Sequence, residues 1–302
     1  MTVLWNVVLP VFLVAGVAVL AQRSLHLDVK TLSRATFYLF APALVFDSLV
    51  SSDIGGGEFG QIAAAVLLTT LLLWAVAAVA GRLLRLQGPI QAVFGVAILI
   101  MNAGNFGLPI NLFAFGQEGL ARASLYYTVS AMLSSSLGVY LMARGQASAR
   151  TALRRVAGVP LIYGALLGLA LNLGGLTVPE PLWKAVHLLG QASIPAMLLV
   201  LGVQLADAFQ SRQDRLHLPA LAVVAVARLL IAPALAWGVA WLVGLRGLAH
   251  NVVVLESAMP TAVITTILAT EFGSDSHFAA LCALSTTLLS LGTLTLLLNW
   301  LL

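Results

Sequence analysis

The sequence predicts an all-α membrane protein: ten transmembrane helices forming two inverted repeats of five, with helices 4 and 9 broken and crossing. Three observations lead there. Of 302 residues, 61% are hydrophobic and only 9% charged, whereas a soluble domain carries roughly 25% charged residues. Ten apolar runs recur, each close to the ~20 residues that a helix needs to cross a bilayer. Landmarks of the first half return in the second about 150 residues later.

The first run, about 4–21, follows Met1-Thr2-Val3, which lacks the basic start of a signal peptide, so it is read as a span. The runs 31–51 and 59–84 follow, the former carrying Pro42 and Asp47. The fourth, 89–116, holds Asn102-Ala103-Gly104-Asn105-Phe106-Gly107-Leu108-Pro109. Two Asn, two Gly and a Pro in eight residues weaken helix and remove a backbone donor. Such a break survives at membrane depth only when buried in protein or lining a polar cavity. The fifth run is 120–143, and a basic stretch to 157 separates the halves. The runs 158–175, 183–206, 216–244, 248–272 and 275–300 complete the ten, the ninth broken at Pro260. The division is therefore a first repeat 1–143, a cytoplasmic linker 144–157 and a second repeat 158–302.

Charge orients the chain. With the N-terminus outside, the inner loops hold Arg23, Lys30, Arg34, Arg82, Arg85, Arg144, Arg150, Arg154, Arg155, Arg212 and Arg215, against Arg122, Lys184 and Arg246 outside. The positive-inside rule then predicts N-out and C-out in the plasma (inner) membrane. It also accounts for the net charge of +4 without a nucleic-acid partner. Pro10 and Pro160, Pro42 and Pro195, and Pro109 and Pro260 recur at offsets of 150, 153 and 151. Leu133-Ser134-Ser135-Ser136-Leu137 maps onto Leu284-Ser285-Thr286-Thr287-Leu288 at the same 151. Five spans per repeat is odd, so the halves insert in opposite senses, as inverted-repeat transporters do.

Candidate chemistry gathers at the breaks. Two half-helix N-termini facing one point would favour an anion. Asn102, Asn105, Gly107, Pro109, Pro260 and Thr261 are the candidate substrate contacts; the plainer reading makes the breaks ordinary proline kinks, with the Asn side chains capping backbone. Arg228 and Glu256 are ionisable residues deep in spans, hence functional candidates by default. Either they pair as a structural salt bridge, or Arg228 faces an anionic substrate while Glu256 binds a coupling proton or sodium. An isolated buried carboxylate is costly, so Glu256 is expected neutral, paired or bound to a cation. Ser134 and Ser135 belong to hydroxyl clusters that serve packing or line the crossing. The single cysteine, Cys282, excludes an intrachain disulfide, and no H-E-x-x-H or phosphate-binding loop is present. No cofactor and no metal site is expected, and no nucleophile–base pair suggests an enzyme. A scaffold or receptor would not require two polar breaks at symmetric positions.

With these residues in hand, the chain resembles the auxin efflux carrier family over its whole length. The ten spans, the segment 102–109 and Glu256-Ser257-Ala258-Met259-Pro260 carry the likeness. The resemblance implies a crossover at Pro109 and Pro260 with substrate beside it, a scaffold of helices 1, 2, 6 and 7 that forms a homodimer, and a mobile elevator bundle of helices 3–5 and 8–10. It implies export or uptake of small organic anions: carboxylates such as malonate, malate or auxin-like acids. The short linker points to a prokaryotic-type member. The fold is also similar to that of sodium–bile acid symporters, whose sodium sites would correspond to Glu256, Asn105 and Ser134–Ser136. That likeness leaves a second reading, a sodium-coupled symporter of a larger amphipathic acid, although Met259 stands where that family has a side-chain amide.

Overall fold

The computed structural model describes residues 3–143, 149–210 and 217–302; Arg144, Arg212 and Arg215 lie outside them. Among the described residues every regular element is helical, and the one strand-like pairing is a bridge between Met101 and Thr261. Helix α1 covers Leu4–Leu25 and opens on a wide π turn. Helices α2, Val29–Ala35, and α3, Ala41–Val50, are joined through a second π turn at Thr36–Phe40, and α4 is Gly56–Leu83. Helix α5, Gly88–Leu99, stops at a break; a π turn at Ala103–Gly107 then opens α6, Leu108–Leu133, which is sharply kinked at Gly116. Gly116 has φ +66°, a backbone conformation that only glycine adopts cheaply. A π turn at Ser134–Gly138 leads into α7, Val139–Met142.

The second half begins with α8, Ala149–Ala157, bent by 59° from α9, Pro160–Leu173. Helix α10, Glu180–Gln210, accommodates Pro195 internally. Helices α11, Leu218–Val226, and α12, Ala232–Leu242, are joined by a π turn at Ala227–Ile231. Helix α13, Gly247–Ser257, breaks before α14, Ile264–Glu271, and α15, Ser276–Leu301, closes the chain.

Length and apolarity alone qualify five helices to span a bilayer, or six if the bent α8–α9 pair counts as one, against the ten runs expected. The shortfall has local causes. The α2–α3 run carries Lys30, Arg34 and Asp47, and α5, α13 and α14 are pieces of 12, 11 and 8 residues on either side of breaks. Each piece is shorter than a bilayer requires.

Large apolar side chains such as Leu20, Leu72, Leu167, Trp241 and Leu296 lie exposed around the bundle. A lipid-facing surface explains that distribution, whereas soluble proteins avoid it. Inside, helices approach through small residues. A Cβ at Gly202 of α10 would overlap the Ala15 carbonyl of α1, and one at Gly164 of α9 would overlap the Pro42 carbonyl of α3. Without a hydrophobic force between helices in lipid, such close backbone contact supplies the packing attraction.

Candidate functional site at the helix crossing

The two breaks meet. The Asn102 N–H donates to the Pro260 carbonyl at 2.8 Å, and the Ala262 N–H donates to the Ile100 carbonyl at 2.9 Å. Each unwound strand thus satisfies the other's backbone, which water cannot do at this depth. Thr261 is fully buried and locks the crossing: its hydroxyl donates to the Ala97 carbonyl at 2.8 Å, and its N–H donates to Thr286 Oγ1 at 3.1 Å. The crossing lies at Met101 and Thr261, not at Pro109 as expected. Pro109 lies beyond the crossing, just after the π turn Ala103–Gly107 in a helix that is already under way. The helix fails earlier, at Ile100–Asn102, where the polar Asn-rich run begins. Pro260 does lie in its break and contributes its carbonyl.

Dipole ends are sorted on two sides of this crossing. The carbonyl ends of α5 and α13 converge on Arg228, which is fully buried. Its Nη1 donates to the Ile98 carbonyl at 2.9 Å, and its Nη2 donates to the carbonyls of Ser257, 2.6 Å, and Met259, 3.1 Å. A cation there offsets two negative helix ends at once. The amide ends, at Ala103–Gly107 and at the start of α14, border a cavity of about 170 Å3. Asn102, Asn105, Tyr127, Ser130, Ser134 and Ser135 contribute its polar wall. Asn102 Nδ2 is buried without a protein partner. Tyr127 packs against Gly104, where an added Cβ would come within 2.7 Å of the ring.

Glu256 occupies a separate compartment. It is fully buried, accepts from Asn111 Nδ2 at 2.9 Å and crowds Gly107, where an added Cβ would collide with its carboxylate. Asn111 also donates to the Gly107 carbonyl at 3.0 Å. Glu256 Oε2 and Asn111 Oδ1 are both buried without partners.

Three expectations change on this geometry. Arg228 and Glu256 form no ion pair; Arg228 is committed to carbonyls, and it does not line the cavity. Glu256 meets Asn111 and Gly107 rather than Asn105. Glu256 is also not assembled with Ser134 and Ser135, because those serines line the cavity and Ser134 donates to the Ser130 carbonyl. Asn102 and Asn105 do line the cavity, while Gly107, Pro109, Pro260 and Thr261, expected as substrate contacts, do not. Sequence reasoning overlooked Tyr127, Ser130 and Gln204. Tyr127, Ser130 and Ser134 recur at helical spacing on one face, and Gln204 interrupts an apolar run, so both signals were present. Thr286 belongs to the second hydroxyl cluster, for which the sequence left packing and the crossing both open, and it meets the crossing through the Thr261 N–H.

Residues 3–298 match the membrane transport protein family. An uncharacterized transporter of Methanothermobacter thermautotrophicus is 32% identical over 273 residues, 89% of this chain and 88% of its own length. A second, of Methanocaldococcus jannaschii, is 25% identical over 270 residues, 87% of this chain and 86% of its own. A protein of Rhizobium meliloti, provisionally named a malonate transporter, is 26% identical over 268 residues, 85% and 82% of the two chains. A match of that extent, on a helical chain with two broken helices meeting at a polar cavity, makes this protein a member of the membrane transport protein family, the auxin efflux carrier type that its sequence resembles.

Proposed function

We propose that the protein is a secondary active transporter of small organic anions, working by alternating access with its substrate at the helix crossing. The observation that carries this is the sorted crossing: amide ends and neutral side-chain donors face a cavity, while the carbonyl ends face Arg228. Such a wall favours a carboxylate without burying a permanent counter-charge beside it. At about 170 Å3 the cavity suits a small mono- or dicarboxylate. A larger amphipathic acid, which calls for a pocket of roughly 300–1,000 Å3, would have to extend beyond this cavity. The name of the Rhizobium meliloti relative makes malonate a rational first probe.

The same reading includes ten spans in two inverted halves, N-out and C-out in the plasma membrane. Its supports are the repeated landmarks and two parallel successions: α5, break, α6 in one half, and α13, break, α14 in the other. It includes a dimer through the scaffold of the first two helices of each half, which rests on the family resemblance. Coupling is assigned to Glu256 with Asn111: a carboxylate without a cationic partner in the bundle interior would exchange a proton or sodium as access alternates.

The test is uptake into proteoliposomes of a panel of mono- and dicarboxylates under separate proton and sodium gradients. Gradient-driven accumulation of at least one small carboxylate is the expected result. A folded, reconstituted protein that moves none of them overturns the proposal.

A further inference from the structure

We infer that Lys30 and Arg34 form a receiving station for small carboxylate anions at the mouth of the crossing cavity. The inference rests on the transporter reading for its ligand, though not for its electrostatics. Lys30, Ser33 and Arg34 follow i, i+3, i+4 spacing on α2, so they share one face. That face lines a second cavity of about 320 Å3. The two cavities adjoin, sharing Ser33, Gln204, Val263 and Ile267 as walls. Among the described residues, Arg122, Arg155 and Lys184 are held in ion pairs, while Lys30 and Arg34 are not. Asp207 also reaches the wall of the outer cavity and opposes an anion there; it accepts from Gln22 Nε2 at 3.4 Å. Asp28, the cap of α2, is within electrostatic reach of Lys30 but does not line the cavity, so Lys30 and Arg34 share that wall with one carboxylate, Asp207, which already has a partner. Ser33 Oγ is buried without a partner where the two cavities join.

The division of labour follows from charge. Neutral amides such as Asn102 and Asn105 recognise a carboxylate at contact but cannot draw it from a distance. Cations in an apolar-walled cleft focus the field and raise local anion concentration. Thr36 and Phe37, about one 5.4 Å turn beyond, belong to the inner cavity, so α2 offers a continuous path from station to crossing. Two sources share this ligand chemistry, a dissolved carboxylate and an anionic lipid headgroup; the station is assigned to the first.

The probe is a cysteine at Ile267 (I267C), an exposed residue on the wall that both cavities share, in nanodiscs, with Cys282 buried and silent. Its modification by anionic sulfonatoethyl and cationic trimethylammonioethyl methanethiosulfonate is compared with that of a free thiol. The expected anionic preference is about tenfold, falling to near unity in K30Q/R34Q and in high salt. Malonate should slow modification when both cations are present and not when both are removed. A preference near unity in the parent overturns the station. So does protection supplied by phosphatidylglycerol discs and not by malonate, which would assign the pair to lipid. If malonate protects yet is not transported in proteoliposomes, the station stands and the proposed function fails. If malonate is transported while K30Q/R34Q leaves uptake KM and its salt dependence unchanged, the function stands and the station fails.

Discussion

Asn102 contributes to the fold through its backbone and is free to contribute to recognition through its side chain. Its N–H holds Pro260, whereas its Nδ2 has no protein partner. Asn102→Ala therefore removes no intramolecular side-chain bond, so thermal stability in detergent should stay close to that of the parent. Uptake should weaken with a KM rise of about tenfold, the equivalent of ~1.4 kcal/mol. Unchanged uptake would remove Asn102 from the substrate site. Glu256→Gln keeps shape and removes charge; the expected result is a folded protein that has lost gradient dependence or transport. Normal transport with the parent's gradient dependence would make Glu256 structural. Which polar residues share the cavity was half legible in the sequence. The Asn-Gly-Pro run marks itself by composition, because nothing else explains it in an apolar run. Asn111 carries no such mark: its partner Glu256 lies 145 residues away, and only the packing of α6 on α13 joins them.

Arg228 shows how one side chain disciplines several elements. It fastens α5 and α13 by their carbonyl ends from its place in the π turn between α11 and α12. Hydrogen bonds from a charged group are worth roughly 1.5–3 kcal/mol, so Arg228→Met should lower unfolding free energy by at least that amount. Arg228→Lys should recover only part, since an ammonium lacks the planar fork that reaches both helices. Equal stability of parent and Met variant in a denaturation series would refute the clasp. Helix α2 depends on a different device. Asp28 accepts from the Thr31 hydroxyl and from the N–H groups of Lys30 and Thr31, which hold its carboxyl below the ordinary 3.8. A depressed folded value means that the cap acts above the ordinary carboxylate range and is lost as pH falls through the lowered value. Asp28→Ala should speed amide exchange across Val29–Ala35 near neutral pH and leave the rest of the bundle unchanged. No local change in exchange would show that the cap is dispensable. Helix identity was readable from apolar runs, and so was the presence of two breaks. Where the fourth helix breaks was not, because Pro109 is accommodated next to the π turn Ala103–Gly107 and the backbone partners that stabilise the unwound strand come from the other half of the chain.

At the scale of the molecule, the cavity side of the crossing differs from the rest of the seam between α1, α3 and α6. Phe106, four residues past the break, meets Phe12 of α1 edge to face with centroids 5.6 Å apart, and Ser48 of α3 donates to Ser124 at 3.1 Å. None of these four residues lines the cavity, and in the proposed mechanism their contacts close the seam. An aromatic pair is worth about 0.5–1.5 kcal/mol, so Phe12→Ala should raise labelling of a cysteine at Ser48 roughly three- to tenfold; unaltered labelling would count against a seal there. The paired backbone at Met101 and Thr261 carries a consequence of its own. Because the unwound strands complete one another, their paired backbone needs no partner from water, and under the proposed mechanism the crossing would travel between the two aqueous phases unaltered. A cargo held there would meet the same immediate surroundings on both sides of the membrane. Nothing in such a site favours one direction, so net flow would follow the solute and coupling gradients, and reversing them should reverse the protein.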